Sequence, residues 1–221
     1  MTDLPLNLLT ETTYAGPDDS FYLEFGGNSR RITKQNLLGA SMVTPYDYGA
    51  TPGEEGTVDN HSYVQAMFDA CAARYTATTR TYELTPRFVG MRFRCDDEVW
   101  VGGLRDPGMM IFGEGGGIYS RAAGKIAFNM ALCNRVFVHG FTVWGDETNA
   151  PDYGIYYGRG ELSGGWPDAR GITMVSCMSQ GYFNRAGRLA FASETRSEVN
   201  CLWQNRSRSL TAVADACVGH V

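Results

Sequence analysis

The residues whose types and spacing best suit chemistry are Trp144, Asp146, Asp152, Tyr153, Tyr156 and Tyr157, followed by Trp166 in the stretch from Arg159 to Asp168. Aromatic rings beside carboxylates and amides suit sugars. The ring stacks on the apolar face of a pyranose, while Asp or Asn meets its hydroxyls. A saccharide-binding face made by Trp144, Asp146, Asp152, Tyr153, Tyr157 and Trp166 is therefore expected. A plainer role also fits: Trp144, Tyr156 and Tyr157 as core or subunit-contact aromatics, and Asp146 and Asp152 as turn formers. Residues 144–153 are expected as a loop widening between two strands, a position where rigid scaffolds often carry function.

Glycoside cleavage would need two carboxylates roughly 5–10 Å apart. Asp146, Glu147, Asp152, Glu161 and Asp168 are candidates, and Arg159 and Arg170 could supply the positive charge a lyase needs. None falls in a pattern specific to catalysis. The catalytic residues therefore stay unassigned, and binding is favoured over catalysis. His139 precedes Gly140 in a strand-like run and is expected as a packed or edge residue; His61 sits by a helix start and His220 near the tail. Gly113-Glu114-Gly115-Gly116-Gly117 lacks the Lys-Ser/Thr ending and following helix of a phosphate loop, and is expected as a turn after a strand.

The elements that must position these residues are bounded by composition. A chain of 221 residues with 43% apolar and 12% aromatic content builds one core, or one core with a small appendage. Its 27 glycines suit a fold of many turns. A formal net charge of −5 without a long basic run argues against a nucleic-acid partner. The six cysteines form no Cys-x-x-Cys pair, so zinc and thioredoxin-like chemistry have no support, and small buried thiols are expected. No metal or cofactor is expected. No apolar stretch reaches spanning length, so membrane insertion is not expected. Asp3 and Pro5 break any basic-then-apolar leader, and synthesis in the cytoplasm without a signal peptide is expected.

Residues 1–42 read as a separate segment. Phe21 to Phe25 alternates like a strand, Gly26-Gly27-Asn28-Ser29 is a turn, and Arg30 to Ile32 returns as the partner, followed by a short helical turn through Gln35 to Leu38. A helix is expected over about 59–75, with Tyr63, Ala66, Met67, Ala70 and Cys71 on one apolar face and Asp59, Asn60 or Ser62 at its start. Beyond Tyr75 short apolar runs recur between Gly, Asp, Asn and Pro: 92–95, 99–101, 109–112, 126–128, 136–138, 155–157, 172–174 and 199–201. Val136-x-Val138-x-x-Phe141, Ile172-x-Met174-x-x-Cys177 and Val199-x-Cys201-x-x-Gln204 superpose at offsets of 36 and 27 residues. Each reads as two inward positions, a bend and a third. Unequal periods suit stacked coils whose loops vary in length. An antiparallel sandwich could use the same runs.

The stretch Asp47-Tyr48-Gly49-Ala50, the Gly-rich loop after it, Val58-Asp59-Asn60 and then Val64-Gln65-Ala66-Met67-Phe68-Asp69-Ala70 resembles the opening of the pectate-lyase-like right-handed parallel β-helices. There the pattern is roughly Asp-Phe-Gly-Ala, Gly-Asp-Gly, Thr-Asp-Asp and an Ala-Ile-Gln-Ala-Ala helix. The resemblance implies a mainly β fold: a single-stranded right-handed parallel β-helix over 43–221, capped by one N-terminal α-helix, with inward side chains forming a continuous apolar column. The Asp-Asp and Gly-His-Gly signatures of the polygalacturonase-like branch are missing.

The segment 1–42, with its Arg-Ile-Thr-x-x-Asn-Leu phrase, resembles the anchoring segments of phage tail fibres and spikes. That resemblance implies particle anchoring through Phe21, Tyr22, Phe25, Arg30 and Arg31; an ordinary hairpin packed on the body remains open. Together the resemblances imply a spike or fibre component exposed on a virion or phage-like particle, a homotrimer that contacts other particle proteins through 1–42 and attaches to host surface polysaccharide. A polysaccharide depolymerase (glycoside hydrolase or lyase) and an adaptor without glycan binding are the alternatives.

Overall fold

The computed structural model describes residues 20–25, 28–33, 42–51, 58–76, 81–82, 84–101, 109–131, 133, 135–158, 171–190, 196–206 and 213–215. Near the N-terminus, β1 (Ser20–Phe25) and β2 (Asn28–Thr33) pair antiparallel, from Ser20 against Thr33 to Phe25 against Asn28. Asn28 and Ser29 thus belong to the returning strand, and only Gly26 and Gly27 separate the two strands. Phe21, Tyr22 and Phe25 lie on β1, and Arg30 and Arg31 on β2. The expected helical turn from Gln35 to Leu38 lies outside the described residues.

A short strand β3 (Met42–Val43) leads into a 3-10 turn, Pro45–Tyr48. Asp47 Oδ2 accepts the Thr44 backbone N–H at 2.7 Å and its hydroxyl at 3.0 Å, which caps that turn. Helix α1 spans His61–Ala73. Its buried stripe is Val64, Met67, Phe68 and Cys71. Of the expected stripe Tyr63, Ala66, Met67, Ala70 and Cys71, Met67 and Cys71 are buried and Ala70 packs against the core, but the face is rotated toward Val64 and Phe68, and Tyr63 is exposed with its ring beside Gly49. Phe68 decides the rotation, because its ring enters the core 5.7 Å from Phe128 and 6.3 Å from Phe88.

After α1, β4 (Tyr75–Thr76) pairs antiparallel with β5 (Thr81–Tyr82), and β6 (Thr85–Pro86) pairs parallel with β3. From there the chain climbs in rungs. The first holds β7 (Arg92–Cys95) and β8 (Val99–Trp100); the second β9 (Met110–Phe112), β10 (Gly117–Ser120) and β11 (Ile126–Ala131). The third holds β12 (Phe137–His139), β13 (Thr142–Gly145) and β14 (Tyr153–Gly158). The fourth holds β15 (Ile172–Val175), β16 (Met178–Gly181) and β17 (Ala186–Ala190); the fifth β18 (Arg196–Val199), β19 (Leu202–Trp203) and β20 (Val213–Asp215). Sheet 1 is β7-β10-β13-β16-β19, sheet 2 is β8-β11-β14-β17-β20, and sheet 3 is β9-β12-β15-β18. Every neighbouring pair in the three sheets is parallel, which rules out the antiparallel sandwich.

The core runs up the middle of the stack. Phe93, Ile118 and Val143 face inward from sheet 1, Val99, Phe128 and Ile155 from sheet 2, and Ile111, Val138 and Met174 from sheet 3. Phe141 binds the rungs together, 5.0 Å from Phe88 and 4.4 Å from Phe128. The apolar column is not continuous. In the fourth rung Ser179 and Arg188 take the positions of Val143 and Ile155, and in the fifth Glu198 takes that of Met174. Two of these polar groups meet: Arg188 Nη2 donates to Glu198 Oε2 at 3.0 Å, Trp203 Nε1 donates to the same oxygen at 3.0 Å, and the Tyr157 hydroxyl donates to Glu198 Oε1.

The same substitution corrects the repeat read from the sequence. Gly140, Ser176 and Asn200 occupy the left-handed bend in successive rungs, with φ of 62°, 53° and 53°. Val138, Met174 and Glu198 are therefore equivalent, as are Phe141, Cys177 and Cys201. Ile172 pairs with Arg196, three residues before Val199. The expected match of Val199 with Ile172 is replaced because an ion pair, not an apolar residue, fills the inward site.

Candidate functional site: the outer face of sheet 1

A strand presents alternate residues to its two faces. In sheet 1 the inward residues Phe93, Ile118 and Val143 force Arg94, Tyr119 and Trp144 outward, and the column continues through Gln180 to Gln204, whose N–H donates to Ser179 O at 2.8 Å. A second outward column begins Arg92, Gly117 and Thr142. At the corner leaving the sheet, the chain stacks Asp96, Arg121, Asp146, Tyr182 and Arg206; the N–H groups of the last four donate to Cys95, Ser120, Gly145 and Gly181 O.

Trp144 is the centre of this face. The guanidinium carbon of Arg92 lies 5.2 Å from its ring centroid, and that of Arg206 lies 5.1 Å away. Arg92 comes from the first rung and Arg206 from the fifth, so cations reach the indole from both directions along the stack. The Tyr119 hydroxyl donates to Asp146 Oδ2 at 2.6 Å, and Arg94 Nε donates to Asp96 Oδ1 at 2.8 Å. The three columns carry Arg92, Arg94, Arg121 and Arg206 against Asp96 and Asp146, an excess of guanidinium on a chain whose net charge is negative.

Both aspartates are held ionised. The Arg94 hydrogen bond keeps the Asp96 carboxyl below the ordinary carboxylate range, against the opposing pull of burial. For Asp146 burial alone pushes upward, but the Tyr119 hydroxyl, Asn149 and Arg121 outweigh it and hold the group low. Asp146 Oδ1 accepts the backbone N–H of Thr148 at 3.0 Å and of Asn149 at 2.7 Å, so the carboxylate also folds the turn after β13. Neither group has the raised pKa of a general acid working at neutral pH.

The residues expected at a saccharide site divide by place. Trp144 and Asp146 share the sheet 1 face, and Trp144 lies within strand β13 rather than on a loop; the loop begins after Gly145. Asp152 and Tyr153 stand at the start of sheet 2, where Arg185 contacts both: Nε is 3.3 Å from Asp152 Oδ2, and Nη1 donates to the Tyr153 hydroxyl at 3.2 Å. Asn184 Nδ2 also donates to Asp152 Oδ1 at 3.1 Å. Tyr157 is fully buried with its hydroxyl on Glu198, so it belongs to the core and not to a contact surface. Trp166, Glu161, Asp168, Arg159 and Arg170 lie outside the described residues.

Arg92, Tyr119, Gln180 and Arg206 were not legible as site residues. The signal that reveals Arg92 and Tyr119 is the 25-residue spacing that aligns Arg92-Phe93-Arg94, Gly117-Ile118-Tyr119 and Thr142-Val143-Trp144, whereas Gln180 and Arg206 join the face only through strand register. The Gly113–Gly117 stretch turns the chain between sheets 3 and 1. A Cβ on Gly113 would strike the Gly140 carbonyl, and one on Gly117 the Thr142 carbonyl, so close backbone approach explains these glycines. His139 is exposed on the outer face of sheet 3, stacked beside Phe137 at 6.4 Å. Among the described residues no three His, Cys, Asp or Glu side chains converge as a metal would require, and no helix is long and apolar enough to cross a membrane.

Comparison with the crystal structure of the Acinetobacter baumannii phage AM24 tailspike protein gives a TM-score of 0.39 at 15% identity, covering 86% of this chain and 36% of that one. This chain thus spans 36% of the length of that tailspike protein. No family model matches the chain, and no curated protein matches it.

Proposed function

We propose that this chain is a spike or fibre component of a phage or phage-like particle, and that the outer face of sheet 1 binds host surface polysaccharide. Three parallel sheets visited in one repeating order support a closed coil, and parallel crossovers of this kind are overwhelmingly right-handed. Such a coil is a rigid rod, suited to carrying a binding face away from an attachment point. The hairpin of β1 and β2, within residues 1–42, is the segment assigned to anchoring on other particle proteins.

The observation that carries the binding assignment is Trp144 with Tyr119 beside it, Arg92 and Arg206 over its ring, and Gln180 on the next strand. Aromatic edges, guanidiniums and amides together meet sugar C–H faces, hydroxyls and any carboxylate or phosphate on the polymer. The low carboxyls of Asp96 and Asp146 favour binding over hydrolysis.

The assembly proposed is a homotrimer. The outer face of sheet 3 carries Met110 at 54% exposure, Val199 at 46%, and Phe112, Phe137, His139 and Val175 between them, a strip that further copies of the chain would cover. Three copies multiply weak glycan contacts by raising the effective concentration of the second and third sites.

An array of bacterial surface polysaccharides tests this reading. The chain is expected to bind a subset of them, and Trp144→Ala to weaken that binding at least about tenfold, the size of one lost stacking contact. Equal binding by the variant would remove the sheet 1 face from the assignment.

A further inference from the structure

Cys177 and Cys201 sit at the same corner of successive rungs, each directly after the left-handed bend residues Ser176 and Asn200. Val175 pairs with Val199 before them and Met178 with Leu202 after them, and the Leu202 N–H donates to Cys177 O at 2.9 Å. The two cysteines are therefore one strand spacing apart. Their side chains also point alike. Cys177 Sγ donates to Val138 O at 3.4 Å and Val175 O at 3.5 Å; Cys201 Sγ donates to Met174 O at 3.5 Å and Val199 O at 3.6 Å. Met174 and Val199 are the register partners of Val138 and Val175, so the second thiol repeats the first one rung on. In-register strands lie about 4.8 Å apart, within the Cα separation of about 4.4–6.8 Å that a disulfide spans.

The other described cysteines stand elsewhere in the fold. Cys71 is on α1, Cys95 ends β7, and Cys133 follows β11; all three are fully buried. Of the close pair, Cys177 is buried at 1% exposure while Cys201 is half-buried and reachable.

We propose that Cys177 and Cys201 are an oxidisable pair that closes into a disulfide between the fourth and fifth rungs when the chain meets an oxidising environment. The oxidant is a low-molecular-weight disulfide. Cys201, as its thiolate, attacks one sulfur of that disulfide, forms a mixed disulfide and releases the first small thiolate. Cys177 then loses its proton and attacks Cys201 Sγ, forming the Cys177–Cys201 bond and expelling the second small thiolate. Two electrons pass from the two cysteines to the oxidant, and their two protons end on the two small thiols released. The order follows from exposure: burial raises both thiols, Cys177 up to about 12, and only the half-buried Cys201 can meet a dissolved disulfide, so Cys177 reacts with a partner already held against it. This chemistry does not depend on the glycan assignment. Its consequence is a clip on the rung that carries Glu198 and Trp203.

The test incubates the reduced chain with oxidised glutathione under native conditions and maps the products by mass spectrometry. The expected product is lighter by two hydrogens, yields one Cys177–Cys201 cross-linked peptide, melts several degrees higher than the reduced chain, and reverts with dithiothreitol. A Cys177→Ser/Cys201→Ser variant treated in parallel should show no such rise. Overturning results are a stable glutathione adduct on Cys201 without closure, cross-links from either cysteine to another such as Cys217, or full retention of both thiols. Mapping the wild-type chain decides the matter even where the variant fails to fold.

Discussion

Glu198 stands on β18 at the inward position that Met174 holds on β15, and its carboxylate accepts from the Arg188 guanidinium at 3.0 Å. The pair replaces apolar contact at the level where sheets 1, 2 and 3 send Trp203, Arg188 and Glu198 toward one another. Arg188 is 4% exposed, so removing Glu198 takes a carboxylate away from a buried guanidinium. Glu198→Ala should destabilise the chain by about 3–5 kcal/mol, whereas Arg188→Met/Glu198→Met together should recover most of that loss. Denaturant unfolding of the singles and the double completes the cycle. A double variant as unstable as the sum of the singles would contradict this account of the pair.

That ion pair also shows where sequence reading stops. The helix, most of the sheet strands and the stacking of Val136–Phe141 over Ile172–Cys177 were legible, because each rests on apolar periodicity or turn residues. The fifth rung was not. Val199 and Cys201 look inward by type, and nothing local says that Glu198 has an arginine waiting for it. The sheet 1 face was half legible: Trp144 and Asp146 stand out by chemistry, but Arg92, Tyr119, Gln180 and Arg206 join them only through register. Tyr157 carries both a contact and a core reading in the sequence, because an aromatic run has no mark of which ring turns inward; its ring is buried.

Helix α1 closes the stack with side chains as well as with its apolar face. Gln65 Oε1 accepts from the Trp100 N–H, and Gln65 Nε2 donates to the Trp100 carbonyl, each at 2.9 Å. The amide thus stands in for the missing neighbour of β8 and blocks its edge. Asp59 Oδ1 does similar work, accepting the N–H of His61 at 2.9 Å and of Asp96 at 3.0 Å. Gln65→Ala should cost about 1 kcal/mol, the scale of exposed hydrogen bonds, and should speed amide exchange at Trp100. Unchanged exchange at Trp100 would show that the edge is protected by something else.

Gly154 on β14 lies against the Ser179 hydroxyl and the Gly187 carbonyl, both within the reach of an added Cβ. Ser179 is fixed there, since its hydroxyl donates to Gly187 O at 2.7 Å. Gly154→Ala should destabilise by about 1–3 kcal/mol through overpacking. Adding Ser179→Ala relieves the side-chain clash but not the backbone one, so the double variant should stay destabilised. Full recovery in thermal unfolding would mean that the hydroxyl alone sets the limit.

Asp146 ties acid stability to the candidate site. Its folded pKa lies below the ordinary 3.8, so the ionised form is favoured by folding. The resulting stability is fully present above about pH 4 and is lost as pH falls through the folded value. Asp146→Asn should lower stability at neutral pH and flatten the acid limb of a plot of urea midpoint against pH. A variant whose midpoint follows the same acid limb as the parent would assign that limb to other carboxylates, such as Asp96.

The most direct test of the polysaccharide assignment is a crystal structure of the chain with an oligosaccharide cut from whichever polymer it binds. Sugar density is expected along sheet 1, in contact with Trp144 and with the guanidinium of Arg92 or Arg206. Ordered sugar on the outer face of sheet 3, or beside Tyr153 and Arg185 with sheet 1 bare, would contradict it.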